Sequence, residues 1–380
     1  MVISLEDLEL QKEQIIEKTP FLSDVNTQDL RESNLTLEEL SQFIESCWFH
    51  DYGEEIRMKY SPSFLEFNSG INENDLVGVV ALKKNELVGV ELGLKRDLLT
   101  DENNSITSYT GTGMSIPLQY RGNRINQILW LEVQKKFIDN NASLGLGWID
   151  ERHKWNGSSN KIYTKKSNRV EYSTSIPCYV KSFNEEVSAK LGDLSWIEKM
   201  VLKSMNHIFH RKTGSNSKIN TGLYEGNYPD KVSKFLEDNQ KRYKFRQKFE
   251  PDQLEFRYTF KKEGMYGIML INSVQGEIQG VLCGFSSPIK DSYSYFQVDS
   301  LQFGPKMDYP QRKNFLSDCH DILRNDFNCF ALVAPSNVSN TNLFQYGYIP
   351  FGTQKLIGNC YSNRLNYKDN IHKKLEIDLR

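Results

Sequence analysis

No run of this sequence approaches the ~20 apolar residues that a membrane-spanning helix needs, so no bilayer span is expected. The opening "MVISLEDLELQKEQ" is charged and lacks the apolar stretch of a secretory signal. Cys47, Cys178, Cys283, Cys319, Cys329 and Cys360 stand singly, without a CxxC pair. That spacing argues against a zinc ribbon or a thioredoxin-type motif, and it suits a reduced compartment. Neither charge dominates: 47 Lys and Arg face 49 Asp and Glu, a net charge of −2. A general nucleic-acid binder would carry a basic excess. The expectation is a cytoplasmic protein with no membrane and no nucleic-acid partner. His207 and His210 lie one helical turn apart but have no third ligand nearby, so no metal is expected.

What is present suits a folded chain with buried cores. The 380 residues are 38% hydrophobic and 12% aromatic, enough for two domains with proper cores. Residues 1–34 read as an arm with an amphipathic turn or two. Thr36 and Glu39 then form a capping box that opens a helix over "TLEELSQFIESCWFHDYG". "DLVGVVALKKNELVGVELGL" reads as a hairpin about Lys84 and Asn85. "NSITSYTGTGMSIPL" is a third strand, followed by a basic turn, a helix from Ile125 and the strand "LGLGWID". The second half repeats this order, with a hairpin in "YGIMLINSVQGEIQGVLCGF", the strand "SYFQVDSLQFGP", a helix in "NFLSDCHDILRNDF" and the strand "CFALVAP". "NELVGVELG" matches "GEIQGVLCG", placing Gly89 against Gly280 and Gly93 against Gly284. An internal duplication follows, with expected divisions at 1–34, 35–185 and 186–380.

The turn "QYRGNRI" carries two arginines, no acid and a glycine, and it runs straight into a helix. A strand, a basic turn and a helix start present bare backbone N–H groups to an anion. Gln119, Tyr120, Arg121, Gly122, Asn123 and Arg124 resemble the Arg/Gln-x-x-Gly-x-Gly/Ala turn of the GCN5-related N-acetyltransferase (GNAT) superfamily. They depart from it at Arg124, which stands where that family has a small residue. Downstream, Asn156, Ser159, Ile162 and Tyr163 resemble the family's Asn-to-Tyr spacing, while Ser167-Asn168 replaces its usual Gly-Phe. The second half is similar in "SNVSNTNLFQYGYIPFG", with Asn337, Asn340, Leu343 and Gly347-Tyr348. There Phe344 takes the tyrosine place. Its turn, "GPKMDYPQRKN", has Pro305 and Pro310, which lack N–H donors, and Asp308, which would repel an anion.

The resemblance implies an α/β fold of two tandem GNAT-like domains, mixed twisted sheets flanked by helices. The first would bind acyl-CoA and the second would be a degenerate donor site. The implied activity is transfer of an acyl group from acetyl-CoA or another acyl-CoA to an amine, with acetyl as the first reading. The acceptor is a small molecule, a protein N-terminus or a lysine. The coenzyme A-binding residues implied are Ser115, Ile116, Gln119, Tyr120, Arg121, Gly122, Asn123, Arg124, Ile125, Asn156 and Tyr163, with Arg121, Gly122 and their neighbours holding the pyrophosphate. Tyr163 would protonate the leaving thiolate, since a phenol of pKa ~10 still carries its proton at neutral pH. Glu91, Asp150 and Glu151 are candidates for the base. A backbone N–H near Met114 to Ile116 would polarise the thioester; Pro117 cannot. "RMKYSPSFLEF" before the hairpin is similar to duplicated family members such as N-myristoyltransferase and mycothiol synthase. Two alternatives therefore stand beside acetyl transfer: a long-chain N-acyltransferase, and a non-catalytic binding module.

Overall fold

The computed structural model describes residues 3–52, 60–72, 75–100, 102–150, 172–191, 200, 203–204, 220–241, 245–290 and 293–361. Ser4 and Asp7 form a capping box that starts α1 (Leu5–Glu17), 13 residues where the sequence suggested a turn or two. Ile3 and Leu8 bury against Leu131 of a later helix. β1 (Val25–Asp29) then pairs antiparallel with β2 (Leu76–Lys83), so the expected arm forms one edge of the sheet. Thr36 and Glu39 cap each other reciprocally at the start of α2 (Leu37–Tyr52), as the sequence pattern requires. α3 (Pro62–Ser69) opens with proline at its first position. The hairpin from β2 into β3 (Glu86–Thr100) turns at Lys84 and Asn85, with φ of 50° and 67°. Two left-handed residues are what a two-residue hairpin turn demands.

The chain continues through β4 (Ser105–Ser115), α4 (Ile125–Asp139), β5 (Leu144–Asp150), β6 (Tyr172–Ser182) and α5 (Glu185–Leu191). The second half contributes β7 (Asn220–Leu223), α6 (Pro229–Gln240), β8 (Phe245–Gln247), α7 (Pro251–Thr259) and β9 (Lys261–Lys262). It closes with β10 (Met265–Val274), β11 (Glu277–Lys290), β12 (Tyr293–Phe303), α8 (Tyr309–Asn325), β13 (Cys329–Pro335) and β14 (Ile349–Cys360).

One mixed sheet runs β1-β2-β3-β4-β5-β14-β6-β13-β12-β11-β10-β7. Among the described strands, only the β4–β5 and β12–β13 pairs are parallel. The duplication reaches down to hydrogen-bond register. Ala81 opposite Gly89 recurs as Asn272 opposite Gly280, each displaced by 191, with a bulge directly after both. Thr110–Leu146 and Gly111–Gly147 recur as Phe296–Leu332 and Gln297–Val333, each displaced by 186. Gly89 lies under Ile125 and Leu129 of α4, and Gly280 lies under Phe315 of α8. The second glycine pair keeps the register, with Val77 opposite Gly93 recurring as Ile268 opposite Gly284, again displaced by 191. What packs there differs: Gly93 admits Phe137 of α4, whereas Gly284 admits the carbonyl of Gln297 on the next strand.

The two halves exchange strands at the centre. β14, from the end of the second half, pairs with β5 of the first; β6, from the first, pairs with β13 of the second. A shared core reinforces the exchange: Leu40, Ile44, Tyr60, Phe64 and Phe67 bury together with Met265 and Phe285.

Candidate active site

The parallel pairing of β4 with β5 stops at Gly111–Gly147. Beyond that rung β4 continues to Ser115 and β5 to Asp150 without pairing to each other, so the two strands part into a wedge, and β4 runs on through the turn into α4. A bulge marks β4 at this place. Val90 pairs with Ser115 and Leu92 with Thr112, which leaves one extra residue in β4. Gly113 takes it up at φ 65°. A bulge re-aims backbone groups that regular pairing would consume. The Trp48 indole N–H donates to the Met114 carbonyl at 3.3 Å, and the Ser115 hydroxyl to the Gly113 carbonyl at 3.0 Å.

The basic turn follows. The Arg121 side chain ties the turn to its surroundings: its Nε donates to the Ile116 carbonyl at 2.8 Å and its Nη2 to the Cys47 carbonyl at 3.4 Å. Asn123 similarly donates to the Tyr120 carbonyl at 3.1 Å. Tyr120 packs near Phe21, and a hydrogen bond from its hydroxyl to Glu86 raises its pKa. Gln119 is exposed. Gly122 has φ 84°, and a Cβ added there would meet nothing within 4 Å. It is needed for its backbone conformation and it looks into open space. Arg124 is left-handed too, at φ 58°, and offers no side-chain cap to the helix. The first backbone bonds of α4 come from Gln127 and Ile128 to the Arg124 carbonyl. The N–H groups from Gly122 through Asn126 therefore have no acceptor among the described residues. Aligned N–H groups at the positive end of a helix dipole form an anion cradle.

Glu91 occupies the other end of the wedge. It is 4% exposed, and its Oε2 has no hydrogen-bond partner among the described residues. Burial pushes its pKa well above the usual carboxylate range, because desolvation disfavours the charged form. Of the other expected site residues, Ser115 and Ile116 lead from the wedge into the turn, and Ile125 is buried beneath the helix start. Asp150 ends β5. Glu151, Asn156, Ser159, Ile162 and Tyr163 lie outside the described residues, as do His207 and His210.

The matching place in the second half is closed. Asp308 and Gln311 cap each other at the start of α8, at 2.8 and 2.9 Å, and Pro310 removes a further donor. Lys306 pairs with Glu277 at 3.0 Å. The parting of β12 from β13 is bridged by Asn340, whose side chain accepts from the Phe303 N–H at 3.1 Å and donates to the Phe303 carbonyl at 2.8 Å. Phe344 is 49% exposed in a short 3-10 turn. His320 on α8 is buried and hydrogen-bonded to the Tyr348 hydroxyl at 2.9 Å, a pairing that sequence spacing does not reveal because the partner lies 28 residues away. Among the described residues no group of three His, Cys, Asp or Glu side chains is placed to hold a metal, and no helix is long and apolar enough to cross a membrane.

No family model and no curated protein matches the chain by sequence. Solved structures do match. Saccharomyces cerevisiae N-myristoyltransferase with bound myristoyl-CoA superposes with a TM-score of 0.65, at 12% identity over 94% of this chain and 85% of that one. A GCN5-related N-acetyltransferase from Anabaena variabilis superposes at 0.53, with 8% identity over 89% and 73%. A probable N-acyltransferase from Enterococcus faecalis gives the same values. The fold is tandem GNAT-like, α/β with helices on both faces of the sheet.

Proposed function

We propose that this protein transfers an acyl group from acyl-coenzyme A to an amine by direct attack, with the donor site in the first half. The observation that carries the reading is the run of N–H groups from Gly122 through Asn126, free of acceptors among the described residues and set beside the parted strands β4 and β5. A pyrophosphate there would accept from backbone N–H groups, and the exposed Arg124 adds a positive charge. The pantetheine arm would then enter the wedge. The solved N-myristoyltransferase with myristoyl-CoA supports a donor of this class.

In the proposed reaction the amine nitrogen attacks the thioester carbonyl carbon, and backbone N–H near Met114 to Ile116 polarises its oxygen. The C–S bond breaks and the thiolate takes a proton from Tyr163. Glu151, directly after β5, is the proposed acceptor of the amine proton. Acetyl is the first reading for the acyl group, and a small amine, protein N-terminus or lysine for the acceptor.

Calorimetric titration with coenzyme A tests the donor site. Gly122→Pro removes one N–H and the left-handed conformation, and should abolish binding. Lys306→Ala, at the matching turn of the second half, should leave it intact. Equal losses from both substitutions contradict the assignment. With an acceptor in hand, Tyr163→Phe should lower kcat by ~10²-fold with coenzyme A affinity unchanged, the usual scale of general acid catalysis.

A further inference from the structure

We propose that Glu91 and Trp130 close the inner end of the β4–β5 wedge and restrict the donor to short acyl groups, a reading that rests on the donor site above. The last paired rung, Gly111–Gly147, is where an acyl group threaded between the strands would arrive. A Cβ added to Gly111 would lie 2.9 Å from the Trp130 ring and 3.4 Å from Glu91 Oε1. The indole and the carboxyl thus stand together over this rung, on the α4 face of the sheet. The opposite face is closed as well: the Tyr60 hydroxyl and Thr112 Oγ1 are hydrogen-bonded at 2.6 Å, and Tyr60 is buried against Trp48 and Phe64. Among the described residues, a long chain reaching the rung meets the indole and carboxyl on one face and the Tyr60–Thr112 pair on the other.

The pseudo-symmetry shows that the carboxyl is not a requirement of the fold. Displacement by 191 carries Glu91 onto Leu282, a fully buried member of the second half's apolar core. The two strands share register, bulge and helix cover, so leucine satisfies the same place. A carboxyl with an unpartnered oxygen there is a cost the fold does not impose. Against a methyl or ethyl tip the oxygen is unaffected; a polymethylene chain would be pressed against it.

Affinities for acetyl-, butyryl-, octanoyl- and myristoyl-CoA, measured on the wild-type chain, decide the matter. An apolar tunnel gains roughly fourfold in affinity per buried methylene. With the apex closed, affinity should be flat from acetyl to butyryl and should not rise for octanoyl or myristoyl. Trp130→Ala should then tighten octanoyl-CoA by about tenfold or more while leaving acetyl-CoA within about threefold. Glu91→Leu should raise Tm, since it copies Leu282. A steep gain along the series in the wild-type chain overturns this proposal and leaves the donor site standing. Failure of coenzyme A itself to bind overturns the donor site, and this proposal with it. An unaltered octanoyl affinity in a folded Trp130→Ala chain also counts against it.

Discussion

Lys181 on β6 is 2% exposed, and among the described residues its ammonium reaches only the Gly347 carbonyl, at 3.5 Å. Burial first and the neighbouring charge of Lys313 second lower its pKa from 10.5 to about 8. The sign of the consequence follows from linkage. Between about pH 8 and 10.5 the unfolded chain holds a proton that the folded chain has lost, so stability rises with pH across that window. Below pH 8 the charge is carried in both states and the burial penalty is complete, on the order of 3 kcal/mol. Chemical denaturation at pH 7 and 9 should show the wild-type chain gaining stability relative to Lys181→Met; parallel behaviour of the two would refute the burial argument. Such residues are hard to read in a sequence. Lys181 sits in "YVKSF", where alternation says little about a lysine between two strands of distant origin. Gly122 was legible because a positive φ ahead of a helix is a local requirement. Arg124 was legible as a departure, and its left-handed φ of 58° explains why a small residue suits the place: a side chain there costs roughly 1–2 kcal/mol.

The elements that matter most are two helix starts that share a fold and differ in how their N–H groups are used. α4 begins with no side-chain cap, and α8 begins with a reciprocal box between Asp308 and Gln311. Asp308 was read from sequence as a charge that would repel an anion. It does more, because its carboxylate already occupies the N–H that an anion would want. Asp308→Ala should therefore cost ~1 kcal/mol of stability. It should leave coenzyme A affinity unchanged, since Pro310 and the Asn340 bridge still block the second cradle. A gain of a second coenzyme A site in the titration would show that the cap alone had closed it. Local pattern located most of these elements, including the hairpin glycines and the helix from Ile125. It underestimated α1, whose apolar contacts with Leu131 lie far along the chain.

Across the whole molecule the exchange of β6 and β14 turns a sequence duplication into a single interlocked body. Nothing in local periodicity reveals this, because a strand's alternation states which face is buried and never which neighbour it takes. β8 adds a further tie by pairing with the end of β3, where the Lys248 N–H also donates to the Asp97 carbonyl at 2.8 Å. Ser63 reaches Glu263 at 2.7 Å, and the Arg257 guanidinium lies 4.4 Å over the Phe67 ring. A chain cut at 185 would leave β5 without β14 and remove Met265 and Phe285 from the first half's core. Those two side chains alone represent roughly 1.5–3 kcal/mol each, against a total stability of ~5–15 kcal/mol for a typical domain. The fragment 1–185 should therefore give a poorly dispersed amide NMR spectrum and no cooperative melt. The fragment 186–380, which loses β6 from beside β13, should behave alike. Mixing the two should restore dispersion, because each supplies the strand that the other lacks. A folded, cooperatively melting 1–185 would show that the first half holds together without the exchange, and that the strand swap is an ornament of the sheet instead of its tie.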